Sequence, residues 1–289
     1  MIKYIGLIVI LISQTLAFDK NIIMAKQVEN IIKVKMLIKD DFMNPQIWEN
    51  YKQGKENAYF IRNITAYING DTVYNISLSP QFKQRGLIIL KFNFKYIGRG
   101  DKLEVVVTDN KGKRTYLNTK IKNSMGKNNI LSSSKSTLKE QDYWLIKPKL
   151  WELTNTEKAI QELYETKKPK VADINISISH YAGMDFTPIH ISSNIRMKSI
   201  AVFADDLRNS SYTERIPSIR AVISIPKGTS IIYGNSFSIL TVGSLYYLPS
   251  NSCPEDVYVP ITVVGIDKDE KIHKGVLKVK LYISGDCEM

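Results

Sequence analysis

The chain has 289 residues, of which 44% are hydrophobic and 24% are charged. This composition is that of a globular protein with room for two domains, and it excludes disorder for most of the chain. Lysine and arginine outnumber aspartate and glutamate by 40 to 28, for a formal net charge of +12, yet no arginine-rich run occurs. The dispersed lysines therefore favour a solvated surface, open to anions or an acidic partner, over nucleic-acid binding.

The first residues have the pattern of an export signal. Lys3 carries one positive charge ahead of the apolar run 5–12, and the small residue Ala17 ends the segment. The run is too short to span a bilayer comfortably. We therefore expect a secretory signal at residues 1–17, export to the periplasm by a general route and no stable membrane insertion, with retention as an uncleaved anchor as the alternative.

The next part of the chain is rich in strand patterns. Residues 19–27 are short and of mixed polarity, which favours one helical turn. Between residues 31 and 122, apolar and polar positions alternate, and Asn69 and Gly70 are typical of a tight hairpin turn. Strands are predicted at residues 33–39, 59–68, 72–78, 88–96, 103–108 and 114–121. Short strands of this number and spacing predict an immunoglobulin-like β-sandwich at residues 31–122.

A change of composition follows this first module. Residues 123–153 are predicted to be a linker, because their serine- and asparagine-rich first part can bury almost nothing. Thr154 or Asn155 can cap a short helix through Tyr164, whose apolar side would dock on a sheet.

The rest of the chain returns to strand patterns and predicts a second sandwich within residues 154–289. Its strands are predicted at residues 174–178, 186–191, 199–204, 220–225, 229–233, 237–242, 258–266 and 275–283. The predicted fold class is therefore all-β, with two immunoglobulin-like β-sandwich domains joined by a polar linker and one short helix.

Motifs of catalysis are scarce in this sequence. His180, His190 and His273 are the only histidines, and none has the spacing of a metal ligand, so we expect surface or lightly packed imidazoles. The sequence has no CxxC, GxSxG, HExxH or phosphate-binding loop. We therefore predict no catalytic residues, no metal site, no cofactor and no enzymatic activity.

The two cysteines allow two interpretations. Cys287 lies near Gly285 on a polar tail just beyond the last predicted strand, where its thiol could hold a covalent adduct. Alternatively, Cys253 and Cys287 form a disulfide, because a hairpin that turns near Asp269 would bring them close together. That bond would stabilise the fold by about 3–4 kcal/mol in an oxidising compartment. The residues alone leave both interpretations open.

Both halves resemble subunits of a sulfur-oxidation carrier. The first resembles SoxZ over residues 34–121, most clearly in YFIRNITAYING at 59–70, GDKLEV at 100–105 and TDNKG at 108–112. The second resembles SoxY in AIQELY at 159–164, YAG at 181–183, TPIHI at 187–191 and MKSIAVFAD at 197–205. Proteins of the SoxY family end in a Gly-Gly-Cys-Gly arm after the last strand, and here SGDC at 284–287 occupies that place.

The resemblance implies a fused carrier with its SoxZ-like part first. It implies that Cys287 holds sulfur intermediates derived from thiosulfate, that Gly285 makes the arm flexible, and that c-type cytochromes and a sulfate-releasing hydrolase are the partners. The alternative is a disulfide-clasped, two-domain periplasmic or extracellular binding or structural protein without carrier activity.

Overall fold

The computed structural model describes residues 22–28, 31–38, 60–80, 86–93, 101–123, 141–165, 174–178, 186–195, 197–204, 217–224, 235–240, 258–267 and 269–280. Within these residues, antiparallel β-strands dominate, and the helices are few and short. The all-β prediction is therefore confirmed.

The elements follow one another in this order. The N-terminal half contains β1 (Ile22–Val28), β2 (Ile31–Ile38), β3 (Ile61–Ile68), β4 (Asp71–Leu78), β5 (Gly86–Asn93), β6 (Lys102–Asp109), β7 (Arg114–Lys120) and β8 (Lys122–Asn123). Helix α1 (Tyr143–Ile146), a 3-10 helix (Pro148–Glu152) and helix α2 (Thr156–Tyr164) come next. The C-terminal half contains β9 (Ile174–Ile178), β10 (Phe186–Ser193), β11 (Met197–Ala204), β12 (Ile219–Ser224), β13 (Asn235–Leu240), β14 (Tyr258–Asp267) and β15 (Ile272–Lys280).

The predicted hairpin turn and the predicted helix cap are both present in the structure. Asn69 and Gly70 join β3 to β4 with φ angles of 51° and 90°, a two-residue turn that suits these residue types. Asn155 caps α2, because its side-chain oxygen accepts a hydrogen bond from the backbone N–H of Lys158 at 3.0 Å. The predicted strand at 229–233 lies outside the described residues.

The first strand corrects a prediction. The helical turn expected within residues 19–27 is wrong, because β1 pairs with β2 along its whole length. The inward positions of β1 are Ile23, which packs against the core, and the buried Ala25 and Gln27, whereas Met24 and Lys26 are exposed. A small residue and an amide at two of these three inward positions weaken the apolar alternation that identifies a strand.

Two sheets contain all of these strands. One has the order β8-β1-β2-β5-β13-β10-β9, and the other has the order β15-β14-β11-β12-β4-β3-β6-β7. Both sheets therefore include strands from both halves of the chain.

The strand order shows that the same seven-stranded unit occurs twice. Strands β1–β7 and β9–β15 occupy equivalent places, counted from opposite ends of each sheet. The pairing irregularities agree as well. They follow Ile61 and Ala66 in β3, and Met197 and Val202 in β11, with 136 residues between equivalent positions in both cases. The two halves are thus structural repeats.

A pseudo-twofold axis relates the two units. Ile64 of β3 pairs with Ile76 of β4, and the equivalent Ile200 of β11 pairs with Ile223 of β12. Ile76 and Ile223 are therefore equivalent, and they lie directly opposite each other where β4 pairs with β12. In the other sheet, β5 pairs with β13.

The core follows this arrangement. One hydrophobic cluster between the sheets contains buried residues of both units, including Ile76 and Ile223 at 0% exposure. Residues 141–153, within the range predicted as a linker, form α1 and the 3-10 helix. The domain bounds themselves stay a prediction.

Candidate functional site

The residues predicted to carry the chemistry are Cys253, Gly285 and Cys287. They lie outside the described residues, as does His180. The structure describes the strands that precede and follow them.

The terminal hairpin leads to both cysteines. Strands β14 and β15 pair continuously, and the last pair joins Tyr258 to Lys280. In the sequence, Cys253 is five residues before Tyr258, and Cys287 is seven residues after Lys280. The chain segments leading to the two cysteines therefore start side by side at one end of a regular strand pair.

The backbone of this hairpin closely approaches the backbone of another strand at Gly275. Strand β14 pairs with β11 on its other side, and β9 of the opposite sheet crosses β15 at Gly275. A Cβ atom at Gly275 would lie 2.4 Å from the carbonyl oxygen of Ile174. Glycine is thus required where the edges of the two sheets approach each other.

We expect Gly275→Ala to lower the free energy of unfolding by about 1–3 kcal/mol, because the backbone of β9 or β15 must shift. Denaturant unfolding of the full chain measures this loss. Val276→Ala is the matched control, because Val276 is 53% exposed and its loss leaves no cavity in the core. Equal midpoints for Gly275→Ala and the wild type would contradict the close approach.

The far end of the hairpin contains a buried ionisable pair that the sequence did not reveal. Nε2 of His273 lies 2.9 Å from Oδ2 of Asp267, and both side chains are buried. The prediction of a lightly packed His273 is therefore wrong, because Asp267 supplies a buried partner. His190 is half-buried on β10, in line with its prediction.

The Asp267 carboxylate also organises the turn. Its Oδ1 accepts hydrogen bonds from the backbone N–H groups of Asp269 and Lys271 at 2.8 and 2.9 Å. Burial by itself raises the pKa of Asp267, but the hydrogen bonds from His273 and these two N–H groups outweigh it and hold the pKa below its usual value. The ionised carboxylate therefore stabilises the hairpin.

The lowered pKa of Asp267 gives a pH-dependent prediction. A carboxylate with a lowered pKa in the folded state stabilises above its unfolded pKa, and this stabilisation is lost as the pH falls through the folded value. Asp267→Asn should cost about 1.5–3 kcal/mol near neutral pH and progressively less in acid. Urea unfolding across the pH range measures the difference.

The repeat supplies a matched control for this variant. Asp109 makes the same turn between β6 and β7, accepting from the N–H groups of Lys111 and Lys113, but Thr115 stands where the second unit has His273. The extra loss in Asp267→Asn over Asp109→Asn reports the histidine contact. Equal losses in the two variants would contradict that contribution.

A helical segment, residues 141–164, covers one outer face of the second unit. Helix α2 and the 3-10 helix form a hydrophobic cluster on the outer face of the 8-stranded sheet; its buried members are Leu150, Trp151, Ala159, Ile160, Leu163, Ala201, Phe203, Ile219, Val222 and Val264. In the first unit, the positions equivalent to Ala201, Ile219 and Val222 are Thr65, Thr72 and Asn75. The helix packs on the unit whose outer face is apolar, as its own apolar side requires.

The same segment is hydrogen-bonded to the first unit. The indole N–H of Trp144 donates to the carbonyl oxygen of Leu78 at 2.9 Å, and the backbone N–H of Tyr143 donates to Oγ of Ser77 at 3.1 Å. The side chain of Asn63 donates to the carbonyl oxygen of Gln141 at 3.3 Å. The segment therefore binds both units next to the pseudo-twofold axis.

Potential metal ligands, helices and an open cleft are further features of the described part of the chain. Within it, no three His, Cys, Asp or Glu residues are placed to hold a metal ion, and no helix is long and apolar enough to cross a membrane. An open cleft beside α2 contains Lys147, but its ammonium group already contacts Glu165 at 3.0 Å and the carbonyl oxygen of Glu162 at 2.8 Å. The cleft thus has no unpaired charge at Lys147 for a ligand.

Comparison with known proteins gives one family match. Residues 22–120 match the family described as sulphur oxidation protein SoxZ. The match ends before the second unit and gives no support for a SoxY-like half. No curated protein matches the chain.

Two solved structures illustrate how distant the structural similarities are. Dimeric latent PorU from Porphyromonas gingivalis is 10% identical, with a TM-score of 0.28; the alignment covers 92% of this chain, which spans only 20% of the PorU chain. The two-domain fibronectin type III segment of chicken tenascin is 10% identical, with a TM-score of 0.21, and the alignment covers 90% of this chain and all of the tenascin segment. Similarities at these scores bear on neither fold nor function.

The SoxZ match coincides with a structural unit. Residues 22–120 contain β1–β7, which is the whole first repeat. Proteins of the SoxZ family are non-catalytic carrier subunits. The chain therefore carries a SoxZ domain at residues 22–120.

Proposed function

We propose that the chain is an exported, non-enzymatic carrier of covalently bound sulfur intermediates in thiosulfate or sulfur oxidation, with Cys287 as the attachment point. The observation that carries the proposal is the pairing of the SoxZ domain, through both sheets, with a second unit of the same strand order. That second unit ends in the hairpin that precedes Cys287. A SoxY-like second half would make one chain do the work of both carrier subunits.

The proposed attachment is a sulfur–sulfur bond. Loading with thiosulfate joins the Cys287 sulfur to the outer sulfur of the anion, releases the thiol proton and removes two electrons. A partner must accept those electrons, and c-type cytochromes are the proposed acceptors. Hydrolysis by a separate enzyme would then release the sulfonate sulfur as sulfate. The sulfur that was the outer atom of thiosulfate would stay bonded to the cysteine as a persulfide.

The reactions are proposed to occur outside the cytoplasm. Residues 1–17 would direct the chain to the periplasm and be removed there. The basic balance of the sequence, 40 to 28, would attract thiosulfate-derived anions at low salt.

Tetrathionate tests the attachment without an added oxidant. A thiolate that attacks tetrathionate takes over one thiosulfate group as a mixed disulfide and expels the other as thiosulfate, so atoms and electrons balance. We expect the reduced full chain to gain this group at Cys287, detected by intact-protein and peptide mass spectrometry. The adduct should persist in Cys253→Ser and be absent from the tail peptide of Cys287→Ser. A reduced chain that is labelled only at Cys253 would contradict the proposal.

A disulfide clasp is the second candidate, and the register of the terminal hairpin favours it. Extending the pairing of Tyr258 with Lys280 would set Cys253 opposite residue 285, two residues from Cys287. In this case Cys253→Ser and Cys287→Ser should lower the melting temperature alike, and the carrier would need reduction before loading. Differential scanning calorimetry of the two variants measures this effect.

A further inference from the structure

Four lysines that are dispersed in the sequence lie on one exposed face of the first unit. Lys26 of β1 lies opposite Lys33 of β2 and beside Lys122 of β8, and Lys35 lies opposite Met24. Lys26 and Lys122 are exposed, and Lys33 and Lys35 are half-buried. The intervening residues of β1 and β2 are buried, so these side chains share the outer face of the 7-stranded sheet. We call this set, together with Met24, the lysine face.

The positive charge of the lysine face is not neutralised within the described residues. Strands β1, β2, β5 and β8 contain no aspartate or glutamate, and no described carboxylate forms an ion pair with any of the four lysines. Some lysines elsewhere do form ion pairs: Lys102 pairs with Glu104, and Lys147 pairs with Glu165. Like charges directly opposite each other destabilise a strand pair, so the Lys26–Lys33 pair lowers the stability of the folded chain.

The fold does not require lysines at these positions. Strand β10 is equivalent to β2 by strand order, and its buried residues Ile189 and Ile191 alternate with Pro188, His190 and Ser192, so no lysine stands at the places that correspond to Lys33 and Lys35. The same outer face of the second unit thus has no lysine at either place. A cost that only one repeat bears points to a function of that repeat.

A single exposed apolar side chain lies among the charges. Met24 is 56% exposed, and Lys26, Lys33 and Lys35 surround it on two neighbouring strands. An apolar contact inside a charged rim is the usual composition of a protein interface, in which methionine is enriched. The described side chains of this face include no arginine and no aromatic ring, the groups that nucleic-acid sites use for phosphate forks and base stacking.

We infer that the lysine face is a docking surface for the acidic surface of a partner protein. Lysine ammonium groups are flexible point charges, which suit rapid association with carboxylates more than a fixed geometry. The inference depends only on the SoxZ domain and its neighbour β8. It holds whether or not Cys287 carries sulfur.

A polyglutamate peptide serves as the probe, because the partner itself is not identified. We expect the full chain to bind the labelled peptide at low salt, measured by fluorescence anisotropy, and to lose affinity as salt rises. The variant K26E/K33E/K35E/K122E should bind about tenfold more weakly. The matched control K149E/K158E/K271E/K278E has the same net charge, changes four other exposed lysines and should stay within about twofold of the wild type.

Two further measurements keep the test decisive. Zero-length coupling of carboxylates to lysines with a carbodiimide should concentrate peptide crosslinks on the lysine face, located by mass spectrometry. Lys26→Glu alone should raise the melting temperature, because it replaces two repulsive contacts with attractive ones, so weaker binding by this variant cannot come from unfolding.

Equal losses of affinity in the two quadruple variants would overturn the inference, since net charge alone would then explain binding. Oligothymidylate and vesicles containing phosphatidylglycerol are the competing probes. Tighter binding of either one through the same four lysines would also overturn it, because the face would then belong to a phosphate-bearing partner.

Discussion

Replacing Trp151 with alanine is expected to lower the free energy of unfolding by about 3–5 kcal/mol. Trp151 is 1% exposed and stacks on Trp144 with 4.6 Å between ring centroids and 4° between ring planes. Its indole N–H also donates to the carbonyl oxygen of Tyr143 at 3.1 Å. Removal leaves a cavity between the helical segment and the sheet, so the segment should lose its packing on both units. Chemical denaturation measures the loss.

An exposed aromatic residue provides the control for this variant. Tyr116 on β7 is 57% exposed, and Tyr116→Ala should change the stability by less than about 0.5 kcal/mol. Hydrogen exchange adds a local measurement. In Trp151→Ala, the exchange rates of the α2 amides should rise over the wild-type rates by more than those of β3 and β6. A uniform increase across the chain would contradict a local role for the helical segment.

Cutting the chain between its two units should leave them associated. A protease site inserted within residues 124–140 allows cleavage of the folded full chain. The two fragments should elute together in size-exclusion chromatography, because β4 pairs with β12, β5 pairs with β13, and one hydrophobic cluster spans both units. They should separate only in denaturant.

The pseudo-twofold axis supplies the variant that should release the fragments. Ile76 and Ile223 face each other there and are fully buried, so Ile223→Asp places a charge inside the shared core. After cleavage, this variant should dissociate under conditions in which the wild type stays intact. Separation of the wild-type fragments in native buffer would contradict the continuous sheets.

Local features of the fold were within reach of the sequence, because short-range chemistry determines them. The turn at Asn69 and Gly70 and the cap at Asn155 follow from residue types at fixed positions. The sequence does not predict strand β1, because two of its three inward residues, Ala25 and Gln27, are only weakly apolar or polar. Alternation identifies a strand only where its two faces differ clearly.

The pairing of strands that are distant in the sequence could not be predicted, for a different reason. Alternation predicts that β4 and β12 are strands, but it does not state that residues as far apart as Ile76 and Ile223 pair across a pseudo-twofold axis. The repeat is visible in the sequence at one place. An aspartate begins both equivalent turns, Asp109–Lys113 and Asp267–Lys271. His273 is buried because of that aspartate, which a search limited to metal-ligand spacing overlooks.

One part of the candidate site could be predicted from the sequence, and the lysine face could not. The sequence alone places Cys287 seven residues after Lys280, and the paired strands β14 and β15 lie within the hairpin predicted at residues 258–283. The lysine face was missed because strand pairing, and not sequence proximity, brings Lys122 beside Lys26. The alternation of Lys33 and Lys35 was its one local sign.

Whether Cys287 carries sulfur is tested most directly by the mass of its peptide in protein isolated from cells that are oxidising thiosulfate. The carrier function predicts a sulfur-containing adduct on Cys287 that is absent from cells grown without thiosulfate. A Cys253–Cys287 disulfide in both preparations, with no adduct in either one, would contradict it.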